Sequence, residues 1–487
     1  MENMIGRANE LRLLREYISS PKSEFVAVYG RRRVGKTFLI RQATNDEFAF
    51  YVTGSSDSSM ERQLITFSIA LQKYSHSEEL SIAPSWILAF NTLAKYLETL
   101  PSGPKVVFID EMPWMDTPRS GFIPALENFW NSWAVLRDDV KLIVCGSATS
   151  WMLNNLIHSR GGLHNRLTHH IQLEPFTLNE CEDYFKSHGF GYSRKEIAEC
   201  YMILGGIPFY LSVMQKNQSL AQNIDRLFFS STAELKDEFS NLYKAIFKKA
   251  SQHIAVVTAL SRKRMGMTRL ELLQATRLAD NGAFSTVLEE LVQCGFLRKY
   301  EPYSERSRSK GTGKTKNTLY QLIDFYTLFY FNFIEGNYYN DEHFWSTSVN
   351  SALHNAWSGL AFEMLCLHHI RQIKQALGIA SVQTKTCSWR TSGDASKGAQ
   401  IDLLIDRKDA TINICEMKFT KGPFAIDRRY MQELQDRLNL FLEETGTRKS
   451  LLMTLITANG LKQNEYSHFP QCTVELEQLF QPKPVES

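Results

Sequence analysis

The first 150 residues alternate short apolar runs with stretches of helical periodicity. The apolar runs are rich in β-branched residues, and continuous runs of this length suit parallel strands that are buried on both faces. They are FVAVYG (25–30), FAFYVTG (48–54), KVVFIDE (105–111) and KLIVCGS (141–147). Strands that alternate with helices in this way predict a parallel α/β sheet with helical crossover connections.

From about residue 170 to residue 300 the pattern is mostly helical. Amphipathic helices are predicted most clearly at 266–276 and 283–300, and a polar, basic stretch at 301–318 precedes an apolar strand at 319–324. Helices followed by a strand, a basic loop and a return strand predict a winged helix-turn-helix. From residue 352 onward, a helix, a β-hairpin and a further αβ pattern predict another α/β module.

Composition narrows the class of protein. The chain has 487 residues, of which 43% are hydrophobic and 22% charged, so a disordered or collagen-like protein is excluded and about three domains are expected. The formal net charge is only +3, so any surface that binds nucleic acid must be local. The N-terminus has no basic segment followed by an apolar run, and no stretch is apolar enough to cross a bilayer. With eight scattered cysteines, these features predict a cytoplasmic protein with reduced thiols and no membrane association.

The motif GxxxxGK[ST] fills the turn between the first predicted strand and the helix after it. The glycines let the backbone curl, so that N–H groups and the helix N-terminus point at the β- and γ-phosphates of a nucleotide. In such a turn Lys36 reaches the phosphate oxygens, and the hydroxyl of Thr37 holds Mg²⁺. We call this segment the phosphate cradle; it comprises Gly30, Arg31, Arg32, Arg33, Val34, Gly35, Lys36 and Thr37.

Two acidic residues at the end of the strand 105–111 support this interpretation. Asp110 is placed to bind the Mg²⁺ held by Thr37, through water, and Glu111 to orient or deprotonate the attacking water. The strand 141–147 ends at Ser147, whose hydroxyl could sense the γ-phosphate. Serine is also a common residue at strand ends, so both interpretations of Ser147 stay open.

Together these motifs resemble the archaeal-type ATPases of the AAA+/STAND group, over roughly residues 1–340. The resemblance implies that the nucleotide is ATP and that Gly6 and Arg7 lie near the adenine. It also implies that Arg166 approaches the γ-phosphate, although an arginine there could equally form an ordinary surface salt bridge. The matching motifs are Gly6-Arg7-x-x-Glu10-Leu11, GRRRVGKT (30–37), FIDE (108–111), CGSA (145–148), RGGLHNR (160–166), LEPF (173–176) and GGIP (205–208).

The basic stretch of the predicted wing has two possible roles. Residues 311–315, GTGKT, end like a second GxxxxGK[ST] motif, but Arg308 stands where that motif has its first glycine, and no apolar strand precedes the segment. We therefore interpret the segment as the tip of the wing and not as a second phosphate loop. A wing of this charge can lie along a phosphate backbone, or it can be a solvated hairpin. Its basic residues, which stand against Glu301 and Glu305, are Arg298, Lys299, Arg306, Arg308, Lys310, Lys314 and Lys316.

The last third of the chain contains two β-rich runs around a polar turn, within residues 398–419. If the turn is Lys408-Asp409-Ala410, opposed residues have numbers that sum to 818, so Asp402 faces Glu416. Opposed Cβ atoms lie about 5 Å apart. Glu416 and Lys418 are two residues apart on one strand and therefore point to one face.

Two carboxylates and an ammonium group within that reach predict a Mg²⁺ site for phosphodiester hydrolysis. Mg²⁺ prefers oxygen ligands and keeps water molecules for chemistry. Asp402 and Glu416 are the expected metal ligands, and Lys418 is expected to position the water or stabilise the charge that develops at phosphorus. A surface hairpin with ordinary charges is the alternative.

This hairpin resembles the catalytic motif of the PD-(D/E)xK nuclease superfamily. The matching residues are Ile401-Asp402 and Glu416-Met417-Lys418, with isoleucine where the motif has proline. The resemblance also implies that Glu363, on the upstream helix GLAFEMLCLHHI (359–370), completes the metal site.

The expected fold is α/β throughout: a P-loop NTPase parallel sheet, a helical and winged-helix region, and a restriction-endonuclease-like domain. The predicted boundaries are 1–175 for the ATPase core, 176–245 for a helical subdomain, 246–340 for the winged helix and 350–487 for the nuclease-like domain. The leading hypothesis is an ATPase whose nucleotide state controls a Mg²⁺-dependent nuclease that acts on nucleic acid, with DNA favoured over RNA as the partner and the substrate left open. A switch or scaffold that does not cleave, and a chaperone-like or motor ATPase, are the alternatives. Homo-oligomerisation is left open.

Overall fold

The computed structural model describes residues 4–56, 58–157, 166–247, 249–303, 318–336, 341–349, 351–391 and 399–482. Several predictions fall outside these residues: those for the GTGKT segment and for most of the RGGLHNR motif, and those for Arg306, Arg308, Lys310, Lys314 and Lys316. The chain divides into two compact units. The first contains Met1–Pro175, Ile207–Phe209 and Leu242–Ala250, and the second contains Phe176–Gly206, Tyr210–Asn241 and Ser251–Ser487.

The first unit alternates strands and helices up to Pro175. Its strands are β1 (Glu24–Tyr29), β2 (Phe50–Thr53), β3 (Lys105–Asp110), β4 (Val140–Gly146) and β5 (His169–Gln172). Its helices are α1 (Ala8–Ile18), α2 (Lys36–Ala43), α3 (Met60–Ser75), α4 (Trp86–Thr99), α5 (Phe122–Ser132) and α6 (Thr149–Met152). The first four strands confirm the strands predicted from the apolar runs, whereas β5 was not predicted.

The strands of the first unit form one parallel sheet in the order β2-β3-β4-β1-β5. Every residue of β1, β3 and β4 is buried, which agrees with their continuous apolar sequence. Aromatic side chains fill one side of the sheet, where Phe25 of β1 contacts Trp130 with ring centroids 5.1 Å apart. The sheet therefore confirms the predicted parallel α/β fold, and it brings the carboxyl ends of β1, β3 and β4 to one edge.

The second unit begins with helices and continues into two sheets. The helices are α7 (Leu178–Ser187), α8 (Arg194–Leu204), α9 (Pro208–Ser212), α10 (Leu220–Ile224), α11 (Glu238–Ile246), α12 (Ala250–Ser261), α13 (Arg269–Thr276), α14 (Gly282–Gln293), α15 (Phe325–Phe329), α16 (Phe344–Ser348), α17 (Ala352–His368), α18 (Ile370–Ala376) and α19 (Arg428–Thr445). The strands are β6 (Met267–Thr268), β7 (Leu297–Tyr300), β8 (Leu319–Leu322), β9 (Thr384–Arg390), β10 (Gln400–Arg407), β11 (Thr411–Lys418), β12 (Ser450–Thr457) and β13 (Cys472–Glu475). Parts of α9, α11 and α12 contain residues that group with the first unit.

Two helices predicted in the middle of the chain are shorter than expected. The helix predicted at 283–300 ends at Gln293, because Gly295 adopts a φ of 77°, and Leu297–Tyr300 becomes strand β7. The helix predicted at 266–276 begins only at Arg269, where Thr268 and Glu271 form a capping box. Strands β6 and β7, which lie in the predicted helical ranges, pair on either side of β8, which confirms the strand predicted at 319–324, in an antiparallel sheet of order β6-β8-β7.

The last sheet has five strands in the order β13-β12-β11-β10-β9. Strands β9, β10 and β11 are antiparallel, whereas β11, β12 and β13 are parallel. The pair β10–β11 has the predicted register, since Leu403 faces Cys415 and Asp406 faces Ile412. Helix α19 packs on this sheet through Leu434 and Phe441, so the hairpin is anchored by a buried core.

Two further predictions concern the whole chain. All eight cysteines are free thiols, and seven of them are buried. Within the described ranges, no helix combines the length and the apolar character that a bilayer crossing requires.

Candidate functional site

The phosphate cradle follows β1 and leads into α2 through a backbone that turns sharply. Gly30, Arg33 and Gly35 all have positive φ values, of 148°, 71° and 91°. A Cβ atom at Gly30 would lie 2.2 Å from the carbonyl oxygen of Leu173, so only glycine fits there. A loop with such backbone angles turns successive N–H groups toward its concave side, which is the arrangement that binds anions.

Lys36 is buried at the base of the cradle and holds the loop in shape. Its ammonium group donates to the carbonyl oxygens of Gly30 and Arg31, both at 3.1 Å, and to Oγ of Ser147 at 3.0 Å. These three acceptors use all three donor hydrogens of the ammonium group. An incoming phosphate group would compete with them for the same three donor hydrogens.

Ser147 connects Lys36 to Glu111. The hydroxyl of Ser147 accepts from Lys36 and donates to Oε1 of Glu111 at 2.5 Å, while its backbone N–H donates to Oε2 at 3.0 Å. Glu111 has a φ of 46°, an uncommon value for a residue with a side chain. The structure therefore unites three of the predicted residues in one hydrogen-bonded chain, in which both oxygens of Glu111 are occupied.

Asp110 lies beside this chain and accepts from three donors. The hydroxyl of Thr37 donates to Oδ2 at 2.9 Å, and the thiol of Cys145 and the N–H of Glu111 donate to Oδ1 at 2.5 and 2.9 Å. Burial raises the pKa of Asp110 and outweighs the thiol hydrogen bond, with the charge of Glu111 acting in the same direction as burial. Mg²⁺ prefers oxygen ligands, and the hydroxyl of Thr37 and the carboxylate of Asp110 are oxygen donors in direct contact. Their chemistry therefore suits a Mg²⁺ ion.

The predicted arginines of this region have different environments. Arg33 lies over the ring of Phe209, with its guanidinium carbon 4.0 Å from the ring centroid, whereas Arg31 is partly buried and Arg32 exposed. Val34 is buried in the core, and Arg166 is exposed.

Two of the motifs behind the family resemblance also meet near the cradle. Arg7 is buried, and it donates to the backbone oxygen of Glu174 at 2.5 Å. The segment that contains Gly6 and Arg7 is thereby joined to the chain that follows β5.

A second centre lies on the hairpin of the last sheet, around Glu416. Lys418 lies 3.0 Å from Oε1 of Glu416, as expected for neighbours on one face of a strand. The hydroxyl of Tyr430 donates to Oε1 at 2.6 Å, and Arg437 donates to Oε2 at 2.5 Å. Burial raises the pKa of Glu416, but the charges of Arg437 and Lys418 outweigh burial and bring it below its usual value.

Glu363 and Asp402 are the other two carboxylates of this centre, and we call them, with Glu416, the carboxylate cluster. Burial and the charge of Asp402 raise the pKa of Glu363 to about 7, although Arg264 donates to both of its oxygens at 3.0 Å. Burial also raises the pKa of Asp402, which accepts a hydrogen bond from Gln400 and feels the charge of Glu416. The structure thus brings the three predicted acids close enough to influence one another's titration.

The donor atoms of the cluster are carboxylate oxygens, which are the ligands that a divalent cation such as Mg²⁺ prefers. Neighbouring carboxylates help to raise the pKa values of Glu363 and Asp402, and a bound cation would relieve that repulsion. Among the residues that the structure describes, no three His, Cys, Asp or Glu side chains form a group that could hold a metal ion. Glu363 and Glu416 are bonded instead by Arg264 and Arg437, which supply positive charge to a buried acidic site.

Sequence reasoning did not identify Arg264, Tyr430 or Arg437. Tyr430 and Arg437 are seven residues apart, which is about two helical turns, so they share one face of α19. That spacing is visible in the sequence, but nothing in the sequence indicates that this face meets the hairpin. Arg264 belongs to the turn between α12 and β6, far from Glu363 in sequence.

Comparison with known proteins identifies the first of these two centres. A family described as an ATPase domain predominantly from Archaea matches residues 4–214. The uncharacterized protein MJECL04 of Methanocaldococcus jannaschii is 22% identical over 405 residues, which cover 82% of this chain and 83% of that protein.

Solved structures with similarity to the chain include the Walker-type ATPase PABY2304 of Pyrococcus abyssi, with 17% identity and a TM-score of 0.45 over 67% of this chain and 95% of that one. The ORC2 protein of Aeropyrum pernix has 14% identity and a TM-score of 0.38, over 66% of this chain and 92% of that one. The family match and the cradle agree on the same segment. Residues 4–214 therefore contain an ATPase domain of the archaeal type, with ATP as its nucleotide.

Proposed function

We propose that ATP binding and hydrolysis in the phosphate cradle control a Mg²⁺-dependent phosphodiesterase at the carboxylate cluster, with nucleic acid as its substrate. The observation that carries the proposal is the second centre. Lys418 lies 3.0 Å from Glu416 on one strand, and the charge of Glu416 contributes to raising the pKa of Asp402 on the neighbouring strand. A lysine beside buried, mutually repelling carboxylates suits chemistry in which a cation and a phosphodiester enter together.

In the ATPase domain, the cradle would exchange its internal hydrogen bonds for bonds to the nucleotide. We expect Lys36 to leave Gly30, Arg31 and Ser147 for the phosphate oxygens, because a charged acceptor binds an ammonium group more strongly than a neutral one. Once Ser147 loses the ammonium group of Lys36, its hydroxyl is free to turn toward the γ-phosphate. Glu111 would then be released to accept a proton from the attacking water.

Mg²⁺ in the cradle would be held by Thr37 and Asp110, and it would neutralise charge on the β- and γ-phosphates. The hydrogen bond from Cys145 holds Asp110 in place on the side away from Thr37. The guanidinium of Arg33 is engaged with Phe209, whereas Arg32 is exposed, so Arg32 would be available to a ligand outside the loop.

At the carboxylate cluster, Asp402, Glu416 and Glu363 do not form a metal-holding group in the arrangement described, so they would hold Mg²⁺ only after Arg264 and Arg437 give up part of their contacts. The ion would then supply Lewis acidity toward a phosphodiester oxygen. Lys418 would position the attacking water and stabilise negative charge that develops at phosphorus. Arg264 and Arg437 would have to yield part of their hold on the carboxylates when a cation binds. Their release provides a physical means of coupling metal binding to movement of the turn that carries Arg264.

The three-stranded sheet β6-β8-β7 and helices α12, α13 and α14 support a winged-helix module, for which we propose contact with DNA. Within the described part of the predicted wing, Arg298 lies over the ring of Tyr300 and donates to Gln321 at 2.6 Å. Its side chain is thus already engaged, so phosphate contacts would come from the other basic residues of the segment. Binding to duplex DNA that weakens steeply between 50 and 200 mM salt would support such contacts.

One observation favours the alternative function, an ATP-driven switch or scaffold with a nuclease-like domain that does not cleave. Both carboxylate oxygens of Glu416 are bonded to Tyr430, Arg437 and Lys418, which leaves a metal ion to compete with three donors. A cluster that stays in this arrangement would be a charged structural core and not a catalytic centre.

A cleavage assay separates the two functions. The full chain is incubated with Mg²⁺ on single- and double-stranded DNA and RNA, with and without ATP. Cleavage that is lost in Asp402→Ala but kept in Asp409→Ala, which alters an exposed acid in the turn of the same hairpin, supports the nuclease. No cleavage under any condition supports the scaffold.

The same assay tests regulation by ATP. We expect Lys36→Ala to abolish ATP binding, measured with a fluorescent ATP analogue. The substitution removes the three hydrogen bonds of Lys36 within the cradle together with the ammonium group that would bind the phosphates. It should also abolish the effect of ATP on cleavage without removing cleavage itself. An Lys36→Ala variant that binds ATP as tightly as the wild type would contradict the role of the cradle.

A further inference from the structure

The second unit contains a cleft of about 640 Å³ that belongs to neither centre described above. Its volume lies within the range of about 300 to 1,000 Å³ that is typical of small-molecule sites. The wall is formed by α8, the start of α10, the end of α16, the first half of α17 and the segment that follows β11.

The cleft lies on a different side of α17 from the carboxylate cluster. Ser358 lines the cleft and Glu363 belongs to the cluster, and these residues are five positions apart on one helix. At 3.6 residues per turn, five positions correspond to about 140° around the helix axis. A ligand in the cleft would therefore not occupy the position of a substrate at the cluster.

Part of the wall is aromatic and apolar. Trp345 and Phe419 both line the cleft, together with Leu220 and Val349. Phe419 is only partly buried, and its ring lies 5.4 Å from the ring of Phe362, which fixes its position against α17. These side chains offer a surface on which a flat ring can pack.

Buried polar atoms in the same wall have no hydrogen-bond partner. Ser358 is only 3% exposed, and its Oγ has no partner within the described residues. Nδ1 of His354 is likewise buried without a partner, one helical turn before Ser358 on the same face of α17. Leaving such groups unsatisfied is costly, so a pair of them in one cleft wall calls for a ligand that bonds to them.

Two ammonium groups, those of Lys195 and Lys421, line the cleft together with the carboxyl groups of Glu196 and Glu199, of which Glu196 accepts from Ser193 in a capping box. Neither Lys195 nor Lys421 forms a salt bridge in the part of the chain that the structure describes, although Lys195 lies near Glu199 and over Phe419, with Nζ 5.8 Å from the ring centroid. Burial raises the pKa of Glu199, whereas the charge of Lys195 acts in the opposite direction. Burial lowers the pKa of His354, and the charge of Lys421 acts in the same direction.

We propose that this cleft is a second ligand site, which binds a small phosphorylated molecule with an aromatic ring, of the size of a nucleoside monophosphate. Lys195 and Lys421 bind the phosphate group. Phe419 packs against the ring, and Ser358 hydrogen-bonds to a polar atom of the ligand, while Trp345, which is 4% exposed and packed against Phe329, Phe333 and Trp357, forms the apolar base of the cleft. None of the lining residues belongs to the carboxylate cluster or to the phosphate cradle.

The test uses the full chain with Lys36→Ala, so that the phosphate cradle does not contribute to binding. AMP, GMP, CMP and UMP are each titrated by calorimetry, and the thermal unfolding midpoint is followed in parallel. Ribose 5-phosphate and inorganic phosphate are the comparison probes, since they carry the phosphate without the ring. We expect at least one nucleoside monophosphate to bind and raise the midpoint, and to bind about tenfold more tightly than either probe.

Variants then locate the binding. Lys195→Ala with Lys421→Ala should weaken the nucleoside monophosphate by about tenfold or more, whereas Lys408→Ala, an exposed lysine in the β10–β11 turn, should leave affinity within about twofold. Absence of binding by all four nucleotides, binding to inorganic phosphate that is equally tight, or affinity that survives the double substitution would each overturn the proposal.

A second variant tests the cleft without any ligand. Ser358→Ala should leave the unfolding midpoint of the unliganded protein unchanged or higher, because the hydroxyl has no partner to lose, and it should weaken the nucleotide. A lower midpoint in the unliganded variant would show that the hydroxyl is already bonded within the protein, and that result would also overturn the proposal.

Discussion

Replacing Glu363 with glutamine should remove much of the pH dependence in the stability of the last sheet. Burial, with the charge of Asp402, raises the pKa of Glu363 to about 7 in the folded chain, from an ordinary value of 4.5. Below pH 4.5 the carboxyl group of Glu363 is protonated in both the folded and the unfolded chain, and its full contribution to the free energy of unfolding is present. Between pH 4.5 and about 7 the unfolded chain loses its proton first, so stability falls as the pH rises.

The size of this effect follows from the shift. One pKa unit corresponds to about 1.4 kcal/mol, so the free energy of unfolding should fall by about 2 to 3 kcal/mol between pH 5 and pH 8 on account of Glu363. Glutamine does not titrate, and the Glu363→Gln variant should lack this component. The wild type and the variant should therefore differ most in the shape of their pH profiles, measured in EDTA so that no divalent ion intervenes.

The thiol of Cys415 offers a local probe for this measurement. Cys415 lies in β11 next to Glu416 and is 2% exposed, so it reacts with a pyridyl disulfide only when this region opens. Comparing wild type and variant at the same pH cancels the ionisation of the thiol itself. Between pH 5 and pH 8 the ratio of their labelling rates should change by about 30- to 150-fold.

Glu433→Gln is the matched control. It removes a carboxylate from an exposed salt bridge with Arg429 on α19, the helix that packs on the last sheet. Such pairs contribute little to stability, so its pH profile should follow the wild type within about 0.5 kcal/mol. Parallel profiles for the wild type and Glu363→Gln would refute the inference that Glu363 holds its proton near neutral pH.

Two further predictions concern the ATPase domain. Ser147→Ala should lower kcat for ATP hydrolysis by about 10- to 100-fold with little change in ATP affinity, because it removes the hydroxyl that connects Lys36 to Glu111. An unchanged kcat in steady-state kinetics would show that this connection does not serve hydrolysis. Gly30→Ala should lower the free energy of unfolding by about 2 kcal/mol more than Gly103→Ala. Both glycines have a positive φ, so both variants are strained in the backbone, but only an alanine at position 30 would place its Cβ against Leu173. Equal losses in chemical denaturation would exclude the contact as the cause.

Much of this architecture could be predicted from local pattern. The continuous apolar runs predicted four parallel strands, of which β1, β3 and β4 are buried throughout, whereas the edge strand β2 is exposed at Thr53. The spacing of the turn at 408–410 predicted the register of the last hairpin. Both succeed because the relevant physics is local: strands buried on two faces need apolar residues throughout, and a short turn fixes which residues oppose each other.

Other features depend on contacts that the sequence does not reveal. Strand β5 has the sequence HHIQ, and only the edge of the parallel sheet makes it a strand. Gly295 ended a helix whose apolar pattern continued past it, because glycine readily adopts the left-handed conformation that caps a helix. The partners of the carboxylates, Arg264 and Arg437, lie far away in sequence and are brought in by tertiary packing.

The position of β11 within its sheet has a consequence for control of the second centre. Glu416 and Lys418 lie on the middle strand of five, which is paired to β10 on one side and to β12 on the other. A strand held along both edges resists sliding and fraying, so an allosteric signal has little leverage on the spacing between these two side chains. Under the proposed function, such a signal would act instead on the elements that surround the strand, by shifting α19 with Tyr430 and Arg437 or by withdrawing Arg264. The spacing between Glu416 and Lys418 would then stay the same in both regulatory states.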